Sequence, residues 1–187
     1  TYARMPNGTT YLATISGRGV DIWNVTVTTN PVLVSSLQLP NINYGDVAGA
    51  IWGVAWQGNY LFAGATVHGL YVIDVSNPAS PQHIKTVSQA NLGGVSAGPL
   101  FAVGNLLVIT TPKDTSGIAT VDITDPTDPR LLDSVTGGAN SYIGGFYDGY
   151  AYLITPLRTY DVTTDPRNIQ LVGSFNVPAS EYVSFAD

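Results

Sequence analysis

The sequence predicts an all-β protein built from repeated four-stranded antiparallel sheets, and three observations carry that expectation. The first is a period: Gly8, Gly58, Gly104 and Gly149 each stand just before an apolar run, and their positions are 50, 46 and 45 residues apart. Recurrence at that interval is the signature of an array of similar units. The second is the likeness of the segments after these glycines: TTYLATI from Thr9, NYLFAGA from Asn59, NLLVITT from Asn105 and YAYLITP from Tyr150, all rich in the branched and aromatic residues that fill strands. The third is the lack of helix signals, since one glutamate, two lysines and no sustained 3.6-residue period leave nothing to build helices from. Units of about 45 residues with four short strands each are the size and pattern of β-propeller blades, so a propeller of about four blades is expected.

Taken in order, the first innermost strand is expected at Thr1 to Met5, which aligns with Ile51 to Ala55. Later innermost strands are AIWGVAW before Gly58, PLFAV before Gly104 and YIGGFY before Gly149. Second strands begin after the glycines. Third strands read VDIWNV from Val20, LYVIDV from Leu70, IATVDI from Ile118 and RTYDV from Arg158, with a polar residue at Asn24, Asp74, Asp122 and Asp161. Pro31, Pro81 and Pro129 stand seven residues beyond that polar residue, and Pro166 five beyond it, which predicts a shortened fourth corner. Leu37, Val87, Val135 and Val172, six residues past the prolines, place the outermost strands. Blade sheets pack face to face, so both sides are covered and the strands read as nearly continuous apolar runs. A two-sheet sandwich would alternate more cleanly between inward and outward residues. The expected blades are 1–40, 46–88, 94–136 and 140–178, within a single propeller domain or fragment spanning 1–187. Glu181 to Asp187 aligns with Ile51 to Gln57 as the inner strand of a further blade, or as the strand that closes the ring.

The segment LYVIDVSNPASP from Leu70, with NYLFAGA before it and KTV after it, resembles the LVIVD repeat. The likeness is close in the second unit and good in the third, where ATVDITDPTDP runs from Ala119. It is weaker in the first unit, where Asn24 replaces the aspartate, and weakest in the fourth. The resemblance implies a β-propeller of the kind usually found in bacterial or archaeal secreted and surface proteins, and it implies no common catalytic residues.

Composition bounds the rest. A compact fold of 187 residues and 19.7 kDa buries roughly 70% of its unfolded surface. With no cysteine, disulfides, thiolate metal sites and cysteine nucleophiles are excluded. A net charge of -6 argues against a nucleic-acid partner, and no apolar run approaches the length that spans a bilayer. The chain opens at Thr1 and its one methionine is Met5, which suggests a mature product or an internal piece. Five inner strands for four units suggest part of a larger ring. An open arc would expose apolar faces at a cost on the order of 10 kcal/mol, so further blades of the same or another chain, or a closed four-blade ring, are expected.

Candidate chemistry sorts to the two ends of the ring. Loops between second and third strands share one end with the blade-to-blade crossings, and they contribute Arg18, His68, Lys113 and Arg158, one cationic or protonatable residue per unit. The crossings add Tyr44, Asp46, Asn91 and Asn140, with Glu181 as a further axial candidate. The opposite end collects Asp74, Asp122, Asp125, Asp128, Asp148, Asp161 and Asp165. The run DITDPTDPR lacks the spacing of a calcium loop and reads as turn chemistry. His68 and His83 have no third ligand in register, so no metal and no cofactor is expected, and no serine stands in a nucleophile motif. The role this predicts is a non-catalytic extracellular or cell-surface module that binds a protein or glycan, anionic in character, through loops at the crossing end. The alternatives are a hydrolase or lyase with an axial site, and a structural blade array in a surface assembly.

Overall fold

A computed structural model describes residues 1–46, 49–112, 117–137, 144–154 and 156–176. Within them lie four separate four-stranded antiparallel sheets, each a meander in sequence order. Blade 1 holds β1 (Tyr2–Arg4), β2 (Thr10–Ser16), β3 (Gly19–Asn24) and β4 (Val32–Gln38). Blade 2 holds β5 (Gly53–Gln57), β6 (Tyr60–Gly64), β7 (Leu70–Asp74) and β8 (Gln82–Val87). Blade 3 holds β9 (Leu100–Val103), β10 (Leu106–Thr110), β11 (Gly117–Asp122) and β12 (Arg130–Thr136). Blade 4 holds β13 (Gly145–Tyr147), β14 (Tyr150–Leu153), β15 (Leu157–Asp161) and β16 (Gln170–Phe175). The first strands of neighbouring blades approach one another, β1 beside β5 and β5 beside β9, and so line a hub.

Packing explains why the strands lack a polar face. In β7, Leu70 and Val72 point into a core shared with Leu107, Ala119 and Val121 of blade 3. Tyr71 and Ile73, one residue out of phase, point into a core shared with Ala13, Val20 and Ile22 of blade 1. A third core joins Val108 and Ile118 of blade 3 to Ala151, Leu153 and Tyr160 of blade 4. Period-two alternation therefore sends side chains to two different cores rather than to core and solvent.

The register corrects three expectations. Tyr11, Tyr60, Leu106 and Tyr150 are the equivalent starts of the second strands, because they pair with Asn24, Asp74, Asp122 and Asp161. The glycines are not equivalent: Gly58 (φ 56°) and Gly104 (φ 57°) open two-residue turns, Gly149 follows Asp148 in its turn, and Gly8 closes a longer one. A primed hairpin turn needs positive φ at its first centre, and glycine or aspartate meets that need at different positions. The first strand is also displaced from its expected alignment, since Tyr2 faces Leu12 as Trp56 faces Leu61. Finally, the fourth corner is not shortened. Asp161 pairs with Gln170 as Asp122 pairs with Arg130, so Ile169, not Pro166, occupies the place of Pro129. Phe175 pairs with Leu157 as Val87 pairs with Leu70, so Phe175, not Val172, is the outer-strand counterpart of Val87. A bulge at the same step of every outer pair, after Ile22, Val72, Thr120 and Thr159, keeps this register common to all four blades.

Candidate functional site

The two ends of the ring are built differently. At the corner end, the side chains of Asn24, Asp74, Asp122 and Asp161 each accept the backbone N–H two residues on, at 3.0, 2.8, 2.8 and 3.2 Å. A second turn of the same type follows at Asn77, Asp125 and Asp165, at 3.2, 3.0 and 3.0 Å. These contacts hold the Asp122 carboxyl below its usual range through the Thr124 hydroxyl and N–H, and that of Asp161 likewise through Thr164. Asp122 and Asp125 thus spend oxygens on their own turns, while Asp128 pairs with Arg130 and with Lys85 of blade 2.

At the crossing end, segment 39–52 leads from blade 1 to blade 2. Leu39 and Ile42 are buried as plugs, and Asn41 takes a left-handed conformation with φ 62° to turn the chain between them and the loop. Leu39 N–H donates to Arg18 C=O (2.8 Å) and Tyr44 N–H to Gly17 C=O (3.1 Å), which fastens the crossing to the β2–β3 turn. Tyr71 Oη donates to Pro40 C=O at 2.6 Å, and burial pushes that phenol up. Gly49 is buried: a side-chain carbon added there would lie 3.4 Å from the Asn41 carbonyl and 3.6 Å from both Asp46 Oδ2 and His68 Nε2, so these groups close over its backbone. Arg18 and Tyr44 are exposed beside it. The next crossing, 88–99, is fixed by Thr66 N–H donating to Ala97 C=O at 2.6 Å, and it carries Asn91, exposed, on a short 3-10 turn, Ala90–Leu92.

Of the residues the sequence nominates, Arg18, Tyr44, Asp46 and His68 are brought to one region, and Asn91 stands at the same end on the next crossing. Arg158 is a correction. It lies within β15, half-buried and paired with Leu153 and Ser174, not on a hairpin tip. Its Nε is buried and without a hydrogen-bond partner. The reason is the early start of β15, which extends to Leu157 and leaves only 154–156 for the turn. Lys113, Asn140 and Glu181 fall outside the described residues.

Sequence reasoning did not find the hub. A cavity of about 450 Å³ opens there, lined by Val54, Trp56, Leu100, Phe101, Val103 and Phe146 among others. The rings of Phe101 and Phe146 stack with centroids 6.1 Å apart. The signal was present as an aromatic in each inner strand of units 2, 3 and 4, but a strand's periodicity does not reveal which of its faces looks toward the axis. The lining side chains are mostly apolar, with Thr1 at the chain's amino end among them. Among the described residues the cavity presents no carboxylate or imidazole for proton transfer.

Comparison with known proteins agrees with this architecture. The chain is similar over 94% of its length to a functionally unknown protein from Desulfotomaculum acetoxidans, at 12% identity and a TM-score of 0.68, covering 55% of that chain. It is similar over 97% to the Pseudomonas aeruginosa periplasmic gluconolactonase PpgL, at 13% identity and a TM-score of 0.68, covering 55% of that chain. A third likeness, over 100%, is to the computationally designed Ika8 protein, at 15% identity and a TM-score of 0.57, covering 52%. The chain spans about half the length of these structures. No curated protein matches it in sequence. The fold is that of a β-propeller. Within it, residues 48–88 match the LVIVD repeat, so the chain carries that repeat in its second blade.

Proposed function

We propose that this chain is a non-catalytic interaction module that acts outside the cell and binds an anionic glycan or acidic protein segment through the crossing-end loops. The observation that carries the reading is the gathering of exposed Arg18 and Tyr44 with half-buried His68 at the first crossing, where Tyr44 N–H donates to Gly17 C=O and His68 lies against Gly49. A guanidinium, an imidazole and an exposed phenol suit charge-assisted and stacking contacts to an anionic ligand that needs no chemical change. An extracellular setting is supported by the LVIVD repeat and by the likeness to a periplasmic propeller.

The second reading, a hydrolase or lyase with an axial site, is favoured by the likeness to a gluconolactonase. At 13% identity that likeness speaks for the fold alone, and fold does not carry function with it. The test is retention on immobilised polyglutamate and polygalacturonate at low salt. The Arg18→Ala, His68→Ala double variant is expected to elute at markedly lower salt than the parent while melting at the same temperature. Equal retention of parent and variant, or none by either, would sink the proposal.

A further inference from the structure

The blades interlock with a direction. The outer strand of each of the first three blades offers one polar side chain, at the same register position, to the corner of the next. Ser35 Oγ donates to Pro78 C=O at 2.6 Å, Lys85 pairs with Asp128, and the Asp133 carboxylate accepts the Ile169 N–H at 2.7 Å. Pairing with Ile22, Val72 and Thr120 shows that Ser35, Lys85 and Asp133 are equivalent. In blade 4 the position is Gly173, opposite Thr159, and no corner lies against it among the described residues. At the other end of the arc the corner of blade 1 is exposed, Val27 included.

The faces beside these half-interlocks are equally incomplete. On the outer side of blade 1, Tyr2, Leu12, Trp23 and Leu33 pair across the sheet in one row. Tyr2 is 72% exposed, whereas its counterpart Trp56 is 8% exposed in an interior interface. On the outer side of blade 4 lie Tyr152, Leu157, Thr159 and Phe175, and Phe175 is 63% exposed where its counterpart Val87 is 5% exposed. Both flanks thus present, at equivalent register positions, the faces that are packed against a neighbour at the three interfaces inside the chain.

We propose that a second copy of this chain covers both flanks, blade 4 of each copy packing on blade 1 of the other, to close an eight-bladed ring with a two-fold axis. Three observations select this occupant. The interlock needs an outer strand against a corner, so a flank cannot pair with its own kind and the contact must be head to tail. Two such contacts close without a free end. The chain covers 52% of the designed Ika8 protein, so a ring of that length leaves room for about four further blades, which a second copy would supply. Finally, the faces to be joined are the ones whose interior equivalents already form the cores.

The experiment is light scattering after size exclusion on the 187-residue chain. The expected mass is twice 19.7 kDa. Tyr2→Asp and Phe175→Asp alter exposed side chains, so each variant is expected to keep its β circular-dichroism spectrum while the dimer weakens about 100-fold, because either lesion touches both contacts of the ring. Mixing the two variants is expected to restore association, since one of the two contacts is then intact. A folded monomer, a polydisperse aggregate, or a dimer that survives either single substitution would overturn the proposal.

Discussion

The corner end of the ring repeats one arrangement in all four blades, whereas its crossing end is built differently at every step described. At the corners a side-chain oxygen of Asn24, Asp74, Asp122 or Asp161 accepts the same backbone donor each time. At the crossings, segment 39–52 turns through a left-handed Asn41 and plugs with Ile42, while segment 88–99 uses a 3-10 turn and plugs with Leu92. The difference separates two tasks. Corners have one job, to turn a strand and dock on the preceding blade, and a short polar motif does it. Crossings must span from a blade's rim to the next hub, and the exposed residues left over there, Tyr44 on one and Asn91 on the next, differ from step to step.

The comparison predicts its largest effect at the crossing end, where backbones touch. Gly98 follows Ala97 on the second crossing, and a side-chain carbon there would lie 2.3 Å from Pro112 Cδ and 2.7 Å from the Thr110 carbonyl. That carbonyl accepts the Gly98 N–H, so it cannot withdraw without breaking the bond. Gly98→Val is expected to cost more than about 3 kcal/mol by overpacking, read as a fall in denaturant midpoint. A cost below about 1 kcal/mol would mean that the crossing is looser than its contacts indicate.

A smaller effect is expected at the corner that departs from the pattern. In blade 4 the place of Pro81 and Pro129 is taken by Ile169, whose N–H donates to Asp133 Oδ2. Ile169→Pro would restore the motif yet remove that donor and leave a half-buried carboxylate short of a partner. The expected loss is about 2 kcal/mol. If the variant were instead more stable, the proline would be what the corner needs, and the inter-blade bond would be incidental.

These two sites also show how far the sequence could be read. The repeat was legible because the corner motif is local: an Asx turn and a proline announce themselves within eight residues. Register was not, because one inserted or deleted turn residue shifts every later position. Gly8 sits in a longer turn, Gly149 takes the second place of a two-residue turn whose first place is glycine in blades 2 and 3, and Pro166 belongs to the first proline place, not the second. Arg18, Tyr44, Asp46 and His68 could be assigned to one end by counting loops. That Asp46 and His68 meet across Gly49 depends on the path of a crossing, which no spacing encodes. Arg158 was misplaced for the same reason, since the start of β15 depends on pairing with β14 and β16.

The smallest effect is electrostatic and belongs to the corners alone. Hydrogen bonds from the Thr124 hydroxyl and N–H depress the folded-state carboxyl of Asp122, and those of Thr164 depress Asp161. A group depressed in the folded state contributes its full stabilisation above the ordinary aspartate value of about 3.9. The contribution is lost as pH falls through the lower folded value, because protonation then removes an acceptor that the native turn uses more than the unfolded chain does. Stability is therefore expected to be level near neutral pH and to decline below about pH 4. The turns are solvated, so each carboxylate should account for only a few tenths of a kcal/mol. Asp122→Asn keeps the acceptor, as Asn24 does in blade 1. It should leave the melting temperature at pH 7 nearly unchanged and shallow the acid limb. An acid limb that Asp122→Asn leaves as steep as the parent's would move the titrating group away from the corners, and with it the view that their carboxylates are occupied by their own turns.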